Sequence, residues 1–212
     1  PNARYVRGKK VGLDLATMDI LENATGKWMW YFSDDDELKP KAISSVLEVL
    51  KRHPDIDFMW VNFFCKNGEN IAVNREEGFF KDRDNVLETL GINISLMSTL
   101  ILKREAGLPY VSLGRKHSVG FAFAIHIPIF GALTGRGRFY LMRPLFSNNL
   151  TSITEIKEIV EKQGSNSGFD TYGVNFHDTI TLFKKGFSRR AIRTIQAVNF
   201  AALWRGIAAD AA

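Results

Sequence analysis

The hydrophobic pattern of the first part of the chain alternates between helical and extended stretches. Apolar residues spaced three or four apart predict a helix over Leu13–Ala24. The uninterrupted apolar run Trp28–Phe32 predicts a strand buried on both faces, which is typical of the centre of a parallel sheet. Pro40 suits the first turn of a second helix, whose apolar face continues to Leu50. Together with the strand predicted next, the order strand, helix, strand in the first 65 residues predicts an α/β fold.

The rest of the first 150 residues predicts further elements of such a sheet. We expect a buried strand over Asp57–Phe64, followed by a turn at Asn67-Gly68. Asp82 is a suitable cap for a short helix that ends at Leu90. Two more strands are predicted, over Ser98–Leu102 and Phe139–Met142.

The character of the sequence changes after residue 150. Residues 152–162 predict a helix, the Gly- and Ser-containing stretch 164–168 predicts a flexible linker, and residues 177–206 predict one or two helices. We therefore expect two parts: residues 1–150, which hold the sheet, and residues 151–212, which form a helical C-terminal extension.

The positive charge of the chain is concentrated near its C-terminus. Residues 1–178 carry 22 basic and 22 acidic side chains, so the net charge of +5 comes from the residues that follow. A neutral main body argues against a basic nucleic-acid-binding face. The single cysteine, Cys65, excludes an internal disulfide and a pair of cysteine ligands for zinc.

One stretch, residues 117–135, contains no Lys, Arg, Asp or Glu. A membrane-spanning helix needs about 20 strongly apolar residues. This stretch contains two histidines and a proline near its middle, which favours a buried element of the fold over a membrane span.

Three adjacent carboxylates, Asp34-Asp35-Asp36, follow the apolar run. Ligands of open α/β sheets bind beyond the carboxyl ends of the strands, where this cluster is predicted to lie. In an extended backbone Asp34 and Asp36 point to the same side, which suits a hard divalent cation such as Mg²⁺ or Mn²⁺. The alternative is a solvated acidic turn, in which Asp36 or Glu37 caps the next helix.

Three segments around this cluster form a compound motif: Gly12-Leu13-Asp14, Ala24-Thr25-Gly26-Lys27-Trp28 and Trp30-Tyr31-Phe32-Ser33-Asp34-Asp35-Asp36-Glu37-Leu38-Lys39-Pro40. The motif resembles glycosyltransferase family 2, whose members have the GT-A fold. Bacterial sugar transferases of O-antigen and exopolysaccharide assembly, including abequosyltransferase-like members, are the most similar in character. The resemblance covers residues 5–64 well and residues 95–150 loosely. It implies a GT-A-like mixed sheet flanked by helices.

By this resemblance, Asp34 and Asp36 contact a nucleotide-diphosphate sugar through Mg²⁺ or Mn²⁺. Asp35 is implied to touch the donor sugar, and Asp14 belongs to the implied donor-binding set. Family members transfer the sugar with inversion, here to a cell-surface glycan or a lipid-linked acceptor, which implies a cytoplasmic protein at the inner face of the membrane. A metal-dependent nucleotidyltransferase and a non-catalytic carbohydrate-binding or interaction module stay open as alternatives.

Two features depart from the family pattern. Family members begin with a nucleotide-binding segment that would precede Pro1, so the chain resembles a member without this segment. The acidic residue that serves as general base is not evident in the corresponding stretch, residues 118–126. His126 is the titratable group of that stretch and is therefore the candidate base. The alternative is a half-buried structural histidine, and His117 and Glu105 are weaker candidates for the base.

Residues 183–207 mix aromatic and aliphatic side chains with six basic ones. On a helix, Phe200 and Trp204 lie near the arginines, as in helices that rest at a membrane interface. Such a helix would contact an anionic membrane, where lipid-linked acceptors reside. The alternative is a helix that packs on the main domain with its arginines in solvent.

Overall fold

The computed structural model describes residues 12–34, 36–64, 71–118, 124, 126–147 and 176–197. Several predicted features lie outside these residues. They are Asp35, the turn at Asn67-Gly68, the helix over 152–162, the linker over 164–168, and Phe200 and Trp204 near the C-terminus.

Six strands form one mixed sheet in the described part of the chain. They are β1 (Trp28–Trp30), β2 (Glu37–Leu38), β3 (Ile56–Phe64), β4 (Gly78–Phe79), β5 (Leu100–Lys103) and β6 (Arg138–Ser147). The order across the sheet is β1-β5-β3-β6-β2, with β4 paired to β6 beside β2. The β3–β6 pair is parallel and the other pairs are antiparallel. The predicted α/β class is confirmed.

The centre of the sheet is β3, which was predicted from its apolar run. Residues 58–63 of this strand are all buried, and β5 and β6 pair with its two edges. Asn62 is the polar exception. Its side-chain Nδ2 donates to the Val73 carbonyl at 2.8 Å, and its Oδ1 accepts from the Val73 N–H at 3.2 Å. The buried polar atoms of this side chain are therefore satisfied.

The prediction that Trp28–Phe32 forms a central parallel strand is wrong. The strand β1 ends at Trp30, pairs antiparallel with β5 and lies at one edge of the described sheet. Its two tryptophans are only half-buried, and each indole N–H donates to a backbone carbonyl, Trp28 to Ile56 at 3.1 Å and Trp30 to Ser98 at 2.8 Å. The apolar run thus reflects amphipathic rings that cover the sheet rather than a strand enclosed by two layers.

Eight helices are described: α1 (Leu13–Asn23), α2 (Ala42–Arg52), α3 (Arg83–Leu90), α4 (Arg104–Gly107), α5 (Val111–His117), α6 (His126–Leu133), α7 (Phe176–Leu182) and α8 (189–197). The first two confirm predicted helices, as does α3, whose cap Asp82 accepts from the Asn85 N–H at 2.8 Å. Pro40 lies before α2 rather than in its first turn. Lys41 separates them with a left-handed φ of 67°, which reorients the chain before the helix begins.

Helix α6 is the buried element predicted within the uncharged stretch. All its residues are buried, and it contacts β3, α4, α5 and α7. Among the residues that the structure describes, no helix is long and apolar enough to span a membrane.

The described part of the C-terminal extension shares the core of the sheet-bearing part. Phe176, Phe183 and Phe187 place their rings within 6.4 Å of the ring of Phe130 in α6, measured between centroids. The predicted division at residue 150 stays a prediction, since residues 148–175 lie outside the described part.

Candidate functional site

The acidic cluster lies on the segment that connects β1 and β2, the strands at the two ends of the order β1-β5-β3-β6-β2. This segment leaves β1 after Trp30 and reaches β2 at Glu37, and β5, β3 and β6 lie between those two strands. Since β1, β3 and β6 run in the same direction, the segment crosses the sheet at the carboxyl ends of these three strands. Asp34 is exposed on this crossing and Asp36 is half-buried.

Aromatic packing and backbone bonds fix the crossing segment to the sheet. The Tyr31 N–H donates to the Leu100 carbonyl at 3.1 Å, and the ring of Phe32 meets that of Phe146 edge to face at 5.7 Å. On the far side, Lys39 N–H donates to the Leu145 carbonyl at 2.8 Å. The carboxylates are therefore held on a backbone that is tied down before and after them.

Ser98 anchors Ser33, the residue directly before the carboxylates, and the sequence analysis missed this role. Its Oγ accepts from the backbone N–H of Ser33 at 2.9 Å, while its carbonyl accepts from the indole of Trp30 at 2.8 Å. Ser98 itself is 2% exposed, within a 3₁₀ turn that spans Met97–Thr99. No pattern in the sequence reveals such a contact, because 65 residues separate the two serines.

The carboxylate oxygens of the crossing segment are suitable ligands for a hard divalent cation. Carboxylate oxygens are the preferred protein ligands of Mg²⁺ and Mn²⁺, and Mg²⁺ usually keeps several waters and takes only one or two carboxylates. Asp34 and Asp36 supply that number. The described residues contain no group of three or more His, Cys, Asp or Glu side chains that could hold a metal ion.

Asp14 occupies the first turn of α1 and is 9% exposed. The carbonyl of Asp14 accepts from Thr17 Oγ1 at 2.8 Å, which stabilises this turn. Its assignment to the donor-binding set stays a prediction.

His126, the candidate base, begins α6 and is 2% exposed. Its imidazole lies 6.3 Å from the ring of Phe130 and 6.5 Å from that of Phe176, measured between centroids. Such burial among aromatic rings is typical of the structural histidine that was the alternative interpretation. The catalytic assignment stays a prediction.

The two weaker candidates for the base lie elsewhere. His117 is the half-buried last residue of α5. Glu105 forms an ion pair with Lys103 at 2.5 Å, and this hydrogen-bonded ammonium holds the pKa of the Glu105 carboxyl below its usual range. A carboxylate with a lowered pKa is a weaker proton acceptor, which makes Glu105 less suited to the role of base.

A family model agrees with the sequence resemblance. The family model described as "Glycosyl transferase family 2" matches residues 1–106. Among solved structures, the chain is similar to the crystal structure of S. aureus TarS 1-349, with a TM-score of 0.47 and 13% sequence identity. That match covers 84% of this chain and 47% of the other, so this chain spans about half the length of the one it matches. A comparison with curated protein sequences found no match. Since the family model covers half of its residues, the chain belongs to glycosyl transferase family 2.

Proposed function

We propose that the chain is a metal-dependent, inverting glycosyltransferase with a GT-A-like fold. It would move a sugar from a nucleotide-diphosphate sugar to a cell-surface glycan or a lipid-linked acceptor. The observation that supports this most directly is the anchored acidic segment at the carboxyl end of the sheet, within the residues that match the family. In α/β proteins this end of the sheet is where ligands bind.

In this proposal Asp34 and Asp36 hold Mg²⁺ or Mn²⁺ and, through it, the diphosphate of the donor. The bound metal would neutralise charge that develops on the departing diphosphate. Asp35 would contact the donor sugar, and Asp14 would belong to the same donor site. The bonds that Ser98 makes to residues 30 and 33 would keep the backbone of this segment in place before the donor arrives.

The general base in this proposal is His126, which would accept the proton of the acceptor hydroxyl as the oxygen attacks the anomeric carbon. A neutral imidazole suits this role at ordinary pH. The burial of His126 favours a second candidate function, a non-catalytic carbohydrate-binding or interaction module derived from the same fold. The two candidates differ in whether bound donor is converted to product.

Contact with an anionic membrane through residues 183–207 is part of the proposal, as is work at the inner face of the cytoplasmic membrane. In α8, Ala191 and Ile195 are buried while Arg189, Arg190 and Arg193 are exposed. In the proposal, the exposed arginines of this helix would face an anionic membrane. The buried aliphatic side of the helix also fits the alternative, in which the helix packs on the main domain and its arginines stay in solvent.

Binding of nucleoside diphosphates tests the metal and donor assignment. Calorimetric titration with UDP, GDP, ADP and CDP, in Mn²⁺ and in EDTA, should show metal-dependent binding of at least one of them. Asp36→Ala should abolish that binding. The matched control is Glu48→Ala, which removes an exposed carboxylate from α2 and should bind as the unmodified chain does. If Asp36→Ala binds normally, the metal assignment is wrong.

Turnover tests the proposed reaction and its base. Release of labelled sugar from the bound nucleotide-sugar would support a transferase, whereas metal-dependent binding without release would support the non-catalytic module. His126→Ala should lower turnover strongly without weakening donor binding, and His177→Ala, at an exposed histidine of α7, is the control. Equal turnover in His126→Ala and the unmodified chain would remove His126 from the mechanism.

A further inference from the structure

A groove with three cationic side chains lies between α7 and α8. It has a volume of about 400 Å³ and is lined by Thr181, Lys184, Arg189, Ile192, Arg193 and Gln196. This volume is within the range of small-molecule sites, which is about 300 to 1,000 Å³. No carboxylate lines the groove, and the acid nearest in sequence on α7, Asp178, is not among the lining residues.

The orientation of α8 directs two arginines into this groove. Ala191 and Ile195 are 0% and 1% exposed, so they fix the inward side of the helix. Arg189 and Arg193 are one helical turn apart and line the groove together. The intervening Arg190 points elsewhere and pairs with Glu88 of α3 at 3.4 Å.

The three cations of the groove lack a counter-charge among the described residues. Lys184, Arg189 and Arg193 form no ion pair there, unlike Arg190. Like charges one turn apart on a helix repel each other. An anion in the groove would remove this repulsion and would meet two guanidinium groups, which bind phosphate oxygens in a bidentate manner.

Neutral hydrogen-bonding groups complete the groove. His177 of α7 bridges the two helices, since its Nδ1 lies 2.7 Å from Gln196 Nε2 and its Nε2 lies 3.5 Å from Thr181 Oγ1. The bridge holds an amide and a hydroxyl at the wall of the groove. Because the Gln196 amide donates to Nδ1, the Nε2–H of a neutral His177 donates to Thr181 Oγ1, which leaves the hydroxyl proton of Thr181 and the second amide N–H of Gln196 for anionic oxygens.

We propose that this groove binds a phosphate or diphosphate group. The ligand is either a soluble phosphorylated compound or the headgroup of a phospholipid, since both present the same oxygens. The proposal does not depend on sugar transfer, because none of the lining residues belongs to the acidic segment.

The first arm of the test uses inorganic pyrophosphate and the full chain in calorimetric titration. The double substitution Arg189→Gln/Arg193→Gln should weaken binding about tenfold or more, since it removes both bidentate groups. The matched control is Lys185→Gln/Arg190→Gln, which removes the same charge from exposed residues that do not line the groove. The control should weaken binding less than about threefold, the loss expected from screened surface charge.

The second arm distinguishes the two sources of the phosphate group. Co-sedimentation compares vesicles of phosphatidylcholine alone with vesicles that also contain phosphatidic acid, which exposes a phosphate monoester. Selective loss of sedimentation in the groove variant, but not in the control, assigns the site to a lipid headgroup. Selective loss for pyrophosphate alone assigns it to a soluble ligand.

Two outcomes would overturn the proposal: equal weakening in both double variants, or no binding of either probe at millimolar pyrophosphate or high phosphatidic acid content. Circular dichroism and thermal unfolding of each variant verify that it is folded. Should the groove variant unfold, the single substitutions Arg189→Gln and Arg193→Gln replace it. Each must then weaken binding more than Arg190→Gln does.

Discussion

The Oγ of Ser98 accepts a hydrogen bond from the backbone N–H of Ser33 at 2.9 Å, so a buried serine fixes the peptide that leads into the acidic segment. The same serine holds the indole of Trp30 through its carbonyl. One short turn before β5 thereby anchors both the end of β1 and Ser33, the third residue beyond it. In the proposed function this makes Ser98 a positioning residue for the metal-binding carboxylates.

Ser98→Ala should loosen the acidic segment. The substitution leaves the Ser33 N–H without its acceptor, which should lower the free energy of unfolding by about 1 to 2 kcal/mol. It should also weaken Mn²⁺-dependent binding of a nucleoside diphosphate several-fold, because the carboxylates are no longer preorganised. Urea denaturation and calorimetric titration measure the two effects.

Thr134→Val is the control for this prediction. It removes a hydroxyl that donates to the Gly131 carbonyl at 2.7 Å, near the start of β6 and therefore at the opposite end of the sheet. We expect a loss of stability without a specific loss of nucleotide binding. Equal effects of the two variants on binding would show that Ser98 contributes only to stability.

How well the sequence predicted each element depends on how local its determinants are. The strand β3 and the helix α2 were predictable, because each has one burial pattern that its own apolar residues define. The edge position of β1 was not, because its two tryptophans satisfy their N–H groups with carbonyls 28 and 68 residues away. Within the site, the carboxylates were visible in the sequence, whereas their anchor at Ser98 is a purely tertiary contact.

Tyr31→Phe should stabilise the protein. Tyr31 follows β1 directly and is 4% exposed, and its hydroxyl has no hydrogen-bond partner in the described part of the chain. The same burial holds the pKa of the phenol well above its usual range. Phenylalanine keeps the ring and removes the unsatisfied oxygen, so the free energy of unfolding should rise by about 1 kcal/mol.

Urea denaturation measures this effect, with Tyr110→Phe as the control at a half-buried position. Nucleotide binding should be unchanged in Tyr31→Phe, because the ring and the bond from its N–H to Leu100 are kept. A loss of stability would mean that the hydroxyl does have a favourable partner.

Tyr140 should make stability depend on alkaline pH. Burial, and then the hydrogen bond that it donates to Glu77 at 2.8 Å, raise the pKa of Tyr140 to about 12. In the unfolded chain this phenol ionises near pH 10, about its ordinary value. The stabilisation is therefore complete below about pH 10 and is lost as pH rises through the folded pKa, because only the unfolded state releases the proton in between.

Unfolding free energies measured from about pH 9 to pH 12 should fall more steeply for the unmodified chain than for Tyr140→Phe. The difference between the two curves removes the contributions of lysines, which titrate in both proteins. The difference in tyrosinate absorbance between the two folded proteins gives the midpoint of the Tyr140 ionisation, which is the pKa of Tyr140 in the folded state. Parallel stability curves would contradict the raised pKa.

Gly131→Ala should reveal how tightly α6 packs. Whether it lowers or raises the free energy of unfolding should depend on the side chain at residue 110. A Cβ at residue 131 would overlap the ring of Tyr110, so the substitution should cost about 1 to 3 kcal/mol through overpacking. Inside a helix, however, alanine is favoured over glycine by about 1 kcal/mol. In a Tyr110→Leu background the overlap with the ring is removed, and the same substitution should become neutral or stabilising. Urea denaturation of the four proteins measures this coupling, and additive effects would show that helix α6 shifts to accept the methyl group.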